Sequence, residues 1–312
     1  MDNSAQRTRS WWIAFAILLL FRWAGIADGP ITVVPLVGPA HEAVYRRAVL
    51  RALADAQSSV DVLISSVSME DNPLVPALAD AAMRGVAVRA LVDASSWAPS
   101  ITTRNLPALT YLQEHGVDAR FDDPEVTLHA KLVIVDESTV ILGSSNWNRY
   151  AFTEHRQADV LLVDDTIGRF YREYFDLLWD QDAAPLTVEL PSLPDSGAAI
   201  LPLADLPEAT PYASIVLDLI RGAQTSVHIA MYRISYYSGF SDSTSNQLLE
   251  AVAGAAHRGL DVKVLIDDCA DYADSAQANL TAALRLAQLG AEVRLDAPEL
   301  TTHTKLVIID GH

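Results

Sequence analysis

Cysteine is nearly absent from this chain: Cys269 is the only one in 312 residues. That excludes an intrachain disulfide and a cysteine-based metal cluster, and it leaves the compartment unread from redox chemistry. A lone thiol of this kind is expected to be a small core residue. Lysine is almost as scarce, with Lys131, Lys263 and Lys305 alone. Positive charge is short altogether, since 22 Lys and Arg face 40 Asp and Glu for a formal charge of -18. Such a surface keeps the protein soluble and disfavours broad adhesion to nucleic acid or anionic lipid. Any anionic substrate must then be met by a concentrated local cationic site.

A long membrane-spanning run is missing too. The apolar stretch WWIAFAILLLF, Trp11 to Phe21, falls short of the roughly 20 residues that a spanning helix needs. With Arg7 and Arg9 before it and Gly25 and Ala27 after it, residues 1–29 read as a secretory signal peptide or, if Arg22 snorkels to the interface, an uncleaved signal anchor. Either reading predicts a protein that is secreted or membrane-anchored, with its body outside the cytoplasm.

What the sequence does have is an internal repeat. RGVAVRALVD from Arg84 and RGLDVKVLID from Arg258 lie 174 residues apart, and so do HAKLVIVD from His129 and HTKLVIID from His303. Upstream, SSVDVLISS from Ser58 and TSVHIAMYR from Thr225 are offset by 167, so the second copy carries seven extra residues in the loop RISYYSGFSDSTSNQ. The first copy is assigned to 30–182 and the second to 212–312. Between them, 183–211 holds six of the 15 prolines and reads as an extended connector.

Within each copy the pattern alternates. HEAVYRRAVLRALADAQ, LVPALADAAMRG and LPALTYLQEHG have helical spacing, while VDVLISSV, VAVRALVD, VDARF, LHAKLVIVD, TVILGSSN and ADVLLVD read as strands before a closing helix IGRFYREYFDLLWD. Strands so rich in Val, Ile and Leu imply sheets covered on both faces. The predicted architecture is α/β: a duplicated α-β-α sandwich, two mixed sheets facing each other about a pseudo-twofold axis.

In HAKLVIVD, His129 and Lys131 are two apart on a strand and so share a face. The same pair recurs as His303 and Lys305, and these are two of the chain's three lysines. HAKLVIVDESTVILGSSN, His129 to Asn146, resembles the HxKxxxxDxxxxxxGSxN signature of the phospholipase D superfamily, and HTKLVIID resembles the first half of a second signature. The resemblance covers nearly all of the chain after residue 30. It implies one site between the halves that cleaves a phosphodiester with no metal and no other cofactor.

Chemistry at a phosphodiester calls for a nucleophile, an acid for the departing alkoxide and positive charge around the non-bridging oxygens. Two histidines and two lysines supply these, since an imidazole titrates near neutrality. By resemblance His129 is assigned as the nucleophile that forms a phosphohistidine and His303 as the general acid, with the reverse assignment open. Lys131, Lys305, Ser144 and Asn146 are assigned to the phosphoryl oxygens. Asp136 and Asp310 complete the motif, but seven residues past their histidines they face away on an ideal strand and are expected to anchor it. Many members carry an acid 28 residues after the histidine to orient its ring. Here Gln157 stands there, and Asp159, two residues on, is the substitute expected to orient the imidazole.

Trp147, Tyr232, Tyr236, Tyr237 and Phe240 are candidates for the rim of the cleft, against acyl chains or bases. With no basic track for a polyanion, a phospholipid is the expected substrate and partner, for hydrolysis or phosphatidyl transfer. A nuclease of the same superfamily and an inactive binding or scaffold protein are the alternatives, and the sequence does not fix an oligomeric state. By comparison with the first copy, the second lacks its GSxN and the elements after it, so the chain is expected to be a piece of a longer gene product.

Overall fold

The computed structural model describes residues 18–20, 31–37, 43–180, 199–205, 210–269 and 272–311. The targeting signal expected over residues 1–29 lies outside the described residues except for Leu18–Leu20 (β1), which pair antiparallel with 199–201. Most of the 183–211 connector lies outside them as well.

The first half runs β2 (Thr32–Leu36), α1 (Val44–Asp55), β3 (Ser59–Ile64), α2 (Leu74–Met83), β4 (Ala87–Val92), α3 (Pro99–Glu114), β5 (Asp118–Phe121), β6 (Lys131–Val135), β7 (Thr139–Gly143), α4 (Arg149–Thr153), β8 (Asp159–Val163) and α5 (Asp165–Asp180). Its sheet has seven strands in the order β2-β8-β7-β6-β3-β4-β5. β3, β4 and β5 are parallel, while β6 runs antiparallel to β3 and begins a meander through β7, β8 and β2. Pro35, which cannot donate to a ladder, sits in the edge strand β2.

Side-chain alternation explains the layers. Val60, Val62, Val133 and Val135 point to α1, α2 and α3, where they meet Val49, Leu53, Leu78 and Leu109. Leu63, Leu91, Leu132 and Ile134 point the other way, against Ile167, Tyr171, Phe175 and Trp179 of α5. Each such buried side chain contributes about 1.5–3 kcal/mol. The two copies of the helix-then-Gly signal also behave as expected, since Gly85 and Gly116 close α2 and α3 at φ 91 and 82.

The second half runs β9 (Ala199–Leu201), α6 (Pro211–Gly222), β10 (Ser226–Met231), α7 (Thr244–His257), β11 (Asp261–Ile266), α8 (Ala273–Gln288), β12 (Glu292–Leu295) and β13 (Lys305–Ile309). Four of these strands form a second mixed sheet in the order β12-β11-β10-β13. The expectation of sheets covered on both faces holds for the first and not for the second. One face of the second carries α6, α7 and α8. On the other, His228, Asp261 and Lys263 form an exposed cluster where the first half has the Asp61–Arg89 pair under α5. Among the described residues no helix packs there.

A short crossing joins the halves. Arg156 N–H donates to the Thr301 carbonyl at 2.8 Å, and His303 N–H donates back to the Arg156 carbonyl at 2.9 Å.

Candidate functional site

Both motif strands begin at the same end of their sheets. Lys131 opens β6 opposite Ile64, the last residue of β3, and Lys305 opens β13 opposite Met231, the last residue of β10. The histidines lie two residues earlier, just beyond the carboxyl ends of the parallel strands.

Matched buried residues fix each approach. Asp93 follows β4, is wholly buried, and accepts the N–H of Leu128, the residue before His129, at 2.8 Å. Asp267 does the same after β11 for Thr302, the residue before His303. Asn105, also wholly buried, donates to the Ser65 and Asp93 carbonyls and accepts from Val67 N–H. Asn279 repeats all three bonds with Tyr232, Asp267 and Ile234. Sequence reasoning missed these four residues, although each pair lies at the 174-residue offset of the motifs. That shared offset is the signal that finds them.

At the site, Lys131 Nζ donates to the His129 carbonyl at 2.7 Å and is almost fully buried. Lys305 Nζ donates to the His303 carbonyl at 2.8 Å and approaches His303 Nε2 at 3.1 Å. The other side of the His303 ring belongs to the first half. Its Nδ1 lies 3.0 Å from the Ser144 carbonyl oxygen and 3.2 Å from Gln157 Oε1. The Tyr232 ring packs against His303 at 4.7 Å between centroids and lies under Lys305 Nζ at 5.1 Å. His155, which the sequence did not single out, sits 6.1 Å from His303 on its far side.

Burial lowers both imidazoles well below 6.5, with Lys131 and Lys305 adding to the effect on each. The lysines respond in kind. Burial brings Lys131 down to about 7 against the pull of Asp93 and Asp159, and burial together with Lys131 takes Lys305 well below 10.5. The site therefore concentrates groups whose protonation an incoming anion would favour. Among the described residues no group of three or more His, Cys, Asp or Glu side chains is placed to hold a metal ion.

Several expected residues take other places. Ser144 was assigned to the phosphoryl oxygens, but its buried hydroxyl donates to Gln157 Oε1 at 2.7 Å and accepts from Ala158 N–H at 3.0 Å. It holds the residue that meets His303. Asn146 is half-buried two residues on. Asp159, the expected ring-orienting acid, accepts the N–H and hydroxyl of Ser145 at 2.9 and 2.6 Å. Burial raises its pKa to about 6 against those bonds. Gly143 is required beside it, because a Cβ there would lie 2.5 Å from the Asp159 Cα. Gln157, placed by sequence with the first motif histidine, serves the second.

Asp136 and Asp310 are far from this chemistry. Seven residues of extended chain carry Asp136 on the order of 20 Å from His129, where its carboxylate accepts from Gln57, Ser58 and Ser59 N–H at the start of β3. Asp310 repeats this with Gln224, Thr225 and Ser226 ahead of β10. Both adopt positive φ, 51 and 54. Both tie the far end of a motif strand to its neighbour.

Of the aromatic candidates, Trp147 is not on the rim: it is 1% exposed and donates to the Tyr45 hydroxyl at 2.9 Å. Tyr232 is an inner wall, and Tyr236 packs partly on the second core. Tyr237 and Phe240 are exposed, as are Trp97 and Tyr272. All four lie on loops that leave the carboxyl ends of β4, β10 or β11, the end from which the histidines project.

A family model described as "Cardiolipin synthase, PLD-like domain" matches residues 49–179 and 216–312. Human mitochondrial cardiolipin hydrolase is 31% identical over 132 residues, which are 42% of this chain and 50% of that protein. A phospholipase D of Rickettsia typhi is 28% identical over 123 residues, 39% of this chain and 57% of its own. The chain thus spans about half the length of these curated relatives. Among solved structures, phosphatidylserine synthase of Haemophilus influenzae Rd KW20 superposes with a TM-score of 0.63 at 14% identity, covering 93% of this chain and 78% of that one. That similarity shows the fold.

Proposed function

Because the chain belongs to the family of cardiolipin synthase, PLD-like domains, we propose that it is a phosphodiesterase that transfers a phosphoryl group through a phosphohistidine and acts on phospholipid. The observation that carries the reading is that residues of the first half hold the second histidine's ring, with His129 and Lys131 near enough to act electrostatically on it. Two neutral imidazoles flanked by two lysines form a receptor for a diester monoanion. Bound phosphate offsets the lysine charge that depresses the rings, so one imidazole gains the proton that the leaving alkoxide needs. The lysines stabilise charge on the non-bridging oxygens as the bond breaks.

The charge of -18 disfavours a long nucleic-acid backbone and a broad anionic lipid surface alike, so the preference for phospholipid rests on the rim of the cleft and on the relatives. Exposed rings at the same end as the histidines suit an acyl-rich surface. The names of the cardiolipin hydrolase and phospholipase D relatives support a lipid diester.

The test is turnover, with a chelator present, of labelled cardiolipin or phosphatidylglycerol vesicles against a labelled single-stranded oligonucleotide. Release of headgroup from vesicles, abolished in His129→Ala, is expected. Cleavage of the oligonucleotide alone would transfer the activity to the nuclease reading, and silence on both substrates would support a binding protein.

A further inference from the structure

Beside the His303 ring the first half holds a side pocket of about 330 Å³, open to solvent, between β2, the start of α1 and the end of α4. Val44 and Phe152 line it with apolar surface, and Arg46, His155, Gln157 and Asp159 bring polar groups to it. Gln157 belongs to both places. Its Oε1 meets His303 Nδ1 at 3.2 Å, while its Nε2 is buried with no hydrogen-bond partner. A buried donor left unmade costs about 1–3 kcal/mol, which a ligand in the pocket recovers. His155 stands 6.1 Å from His303 between ring centroids, and among the described residues neither of its ring nitrogens is hydrogen-bonded. Burial lowers its pKa from 6.5, against Glu154 and with Lys305, so at neutral pH this ring offers one donor and one acceptor. Arg46 reaches over Phe152 at 5.9 Å, and among the described residues no carboxylate pairs with it.

The lining selects its ligand. A cationic group would share the pocket with the Arg46 guanidinium, and an anionic one with the Asp159 carboxylate, which is 5% exposed and already bonded to Ser145. Either sign of charge meets its like. A neutral hydroxyl both donates and accepts, and so matches His155, Gln157 Nε2 and Arg46 together. We propose that the pocket is an alcohol subsite for a neutral polyol of about glycerol size, and that His155 sets the preference for hydroxyl-bearing alcohols. This rests on the phosphodiesterase reading above. The polyol is either the alcohol that departs from phosphorus or the acceptor that replaces it, since the two exchange places at one phosphorus. On transfer the acceptor oxygen bonds to phosphorus while the phosphorus–nitrogen bond breaks, its pair returning to the imidazole that carried the phosphoryl group. The hydroxyl proton passes to the other motif imidazole. Departure is the same step reversed.

Two arms with the full chain and a chelator test this, one for each side of phosphorus. In the first, phosphatidylglycerol and phosphatidylpropanol with the same acyl chains are presented in otherwise identical vesicles, and glycerol release is expected to exceed propanol release about tenfold or more in kcat/KM. In the second, bis(4-nitrophenyl) phosphate is turned over with equal concentrations of glycerol, 1-propanol or ethanolamine. Capture of the nitrophenyl phosphoryl group as the glyceryl ester is expected to exceed capture by the other two by a similar factor. Both readouts are ratios, so a loss of rate common to all products does not move them. His155→Phe is expected to abolish both preferences, and His155→Gln, which keeps a donor and an acceptor, to retain them. Arg46→Met is the second variant and is expected to weaken both. A preference in one arm alone upholds the subsite and assigns it to that side. No preference in the wild-type chain, or one that His155→Phe leaves unchanged, overturns the subsite, while continued nitrophenolate release keeps the phosphodiesterase reading intact. A wild-type chain that releases neither nitrophenolate nor alcohol overturns that reading and the subsite with it.

Discussion

At the scale of single residues, the site is built from groups that would be more stable elsewhere. Lys131 is 2% exposed and its pKa falls to about 7 from an ordinary 10.5. Between those values the unfolded chain binds more protons than the folded one, so stability rises with pH through that window. Removing the charge should therefore stabilise the fold while it ends catalysis. Lys131→Met is expected to gain about 1–2 kcal/mol at pH 7, to flatten part of the rise in melting temperature between pH 7 and 9, and to lose at least ~100-fold in kcat. Calorimetry across that range, beside a turnover assay, checks both. These lysines and their histidines were legible in the sequence, because a rare residue recurring at a repeat offset is informative. The bonding of Ser144 was not legible, for the opposite reason. A GSxN motif shows which residues are present, but not that its serine hydroxyl is already committed to Gln157.

At the scale of elements, the motif strands β6 and β13 are tethered at both ends. Asp93 and Asp267 hold the chain just before each histidine, and Asp136 and Asp310 hold the far end through backbone N–H groups. Against the opposing effect of burial, those N–H donors lower Asp136 and bring Asp310 to about 2. A carboxylate depressed on folding contributes stability that is fully present above its unfolded pKa and is lost as pH falls through the folded value. For Asp310 that window runs from 3.8 down to about 2. Asp136→Ala should cost about 1.5–3 kcal/mol at neutral pH and Asp310→Asn should remove part of the acid-induced loss between pH 4 and 2, both read from denaturant midpoints. Strand parity in the sequence already turned these two aspartates away from the site. Asn105 and Asn279 were not read, because each taken singly looks like any other helical polar residue and only their shared 174-residue offset marks them.

At the scale of the whole molecule, the motif histidines and a set of exposed rings share one end. The loops after β4, β10 and β11 carry Trp97, Tyr237, Phe240 and Tyr272 there, and Phe240 is 64% exposed. Ring insertion at a lipid interface recovers about 1.5–3 kcal/mol per side chain. Phe240→Ser with Tyr237→Ser is accordingly expected to lower kcat/KM on phospholipid vesicles about tenfold or more and to leave turnover of a soluble diester unchanged. Equal loss on both substrates would count against the lipid-facing role. Two of the four rings, Tyr237 and Phe240, were marked in the sequence as part of the insertion. Trp97 and Tyr272 were not, since nothing local separates an exposed ring from a packed one, as the burial of Trp147 shows.

The sequence by itself determined the duplication, the α/β alternation, the two HxK pairs and the excess of acid that makes a local cationic site necessary. These properties are one-dimensional: an offset, a period, a count. Only the tertiary structure decided which half serves which histidine. Gln157 lies 28 residues after His129 in the chain and touches His303, 146 residues away. The reason is physical. The crossing between Arg156 and Thr301–His303 brings the first motif's flank against the second copy's ring, and separation along the chain carries no information about contacts between the two halves.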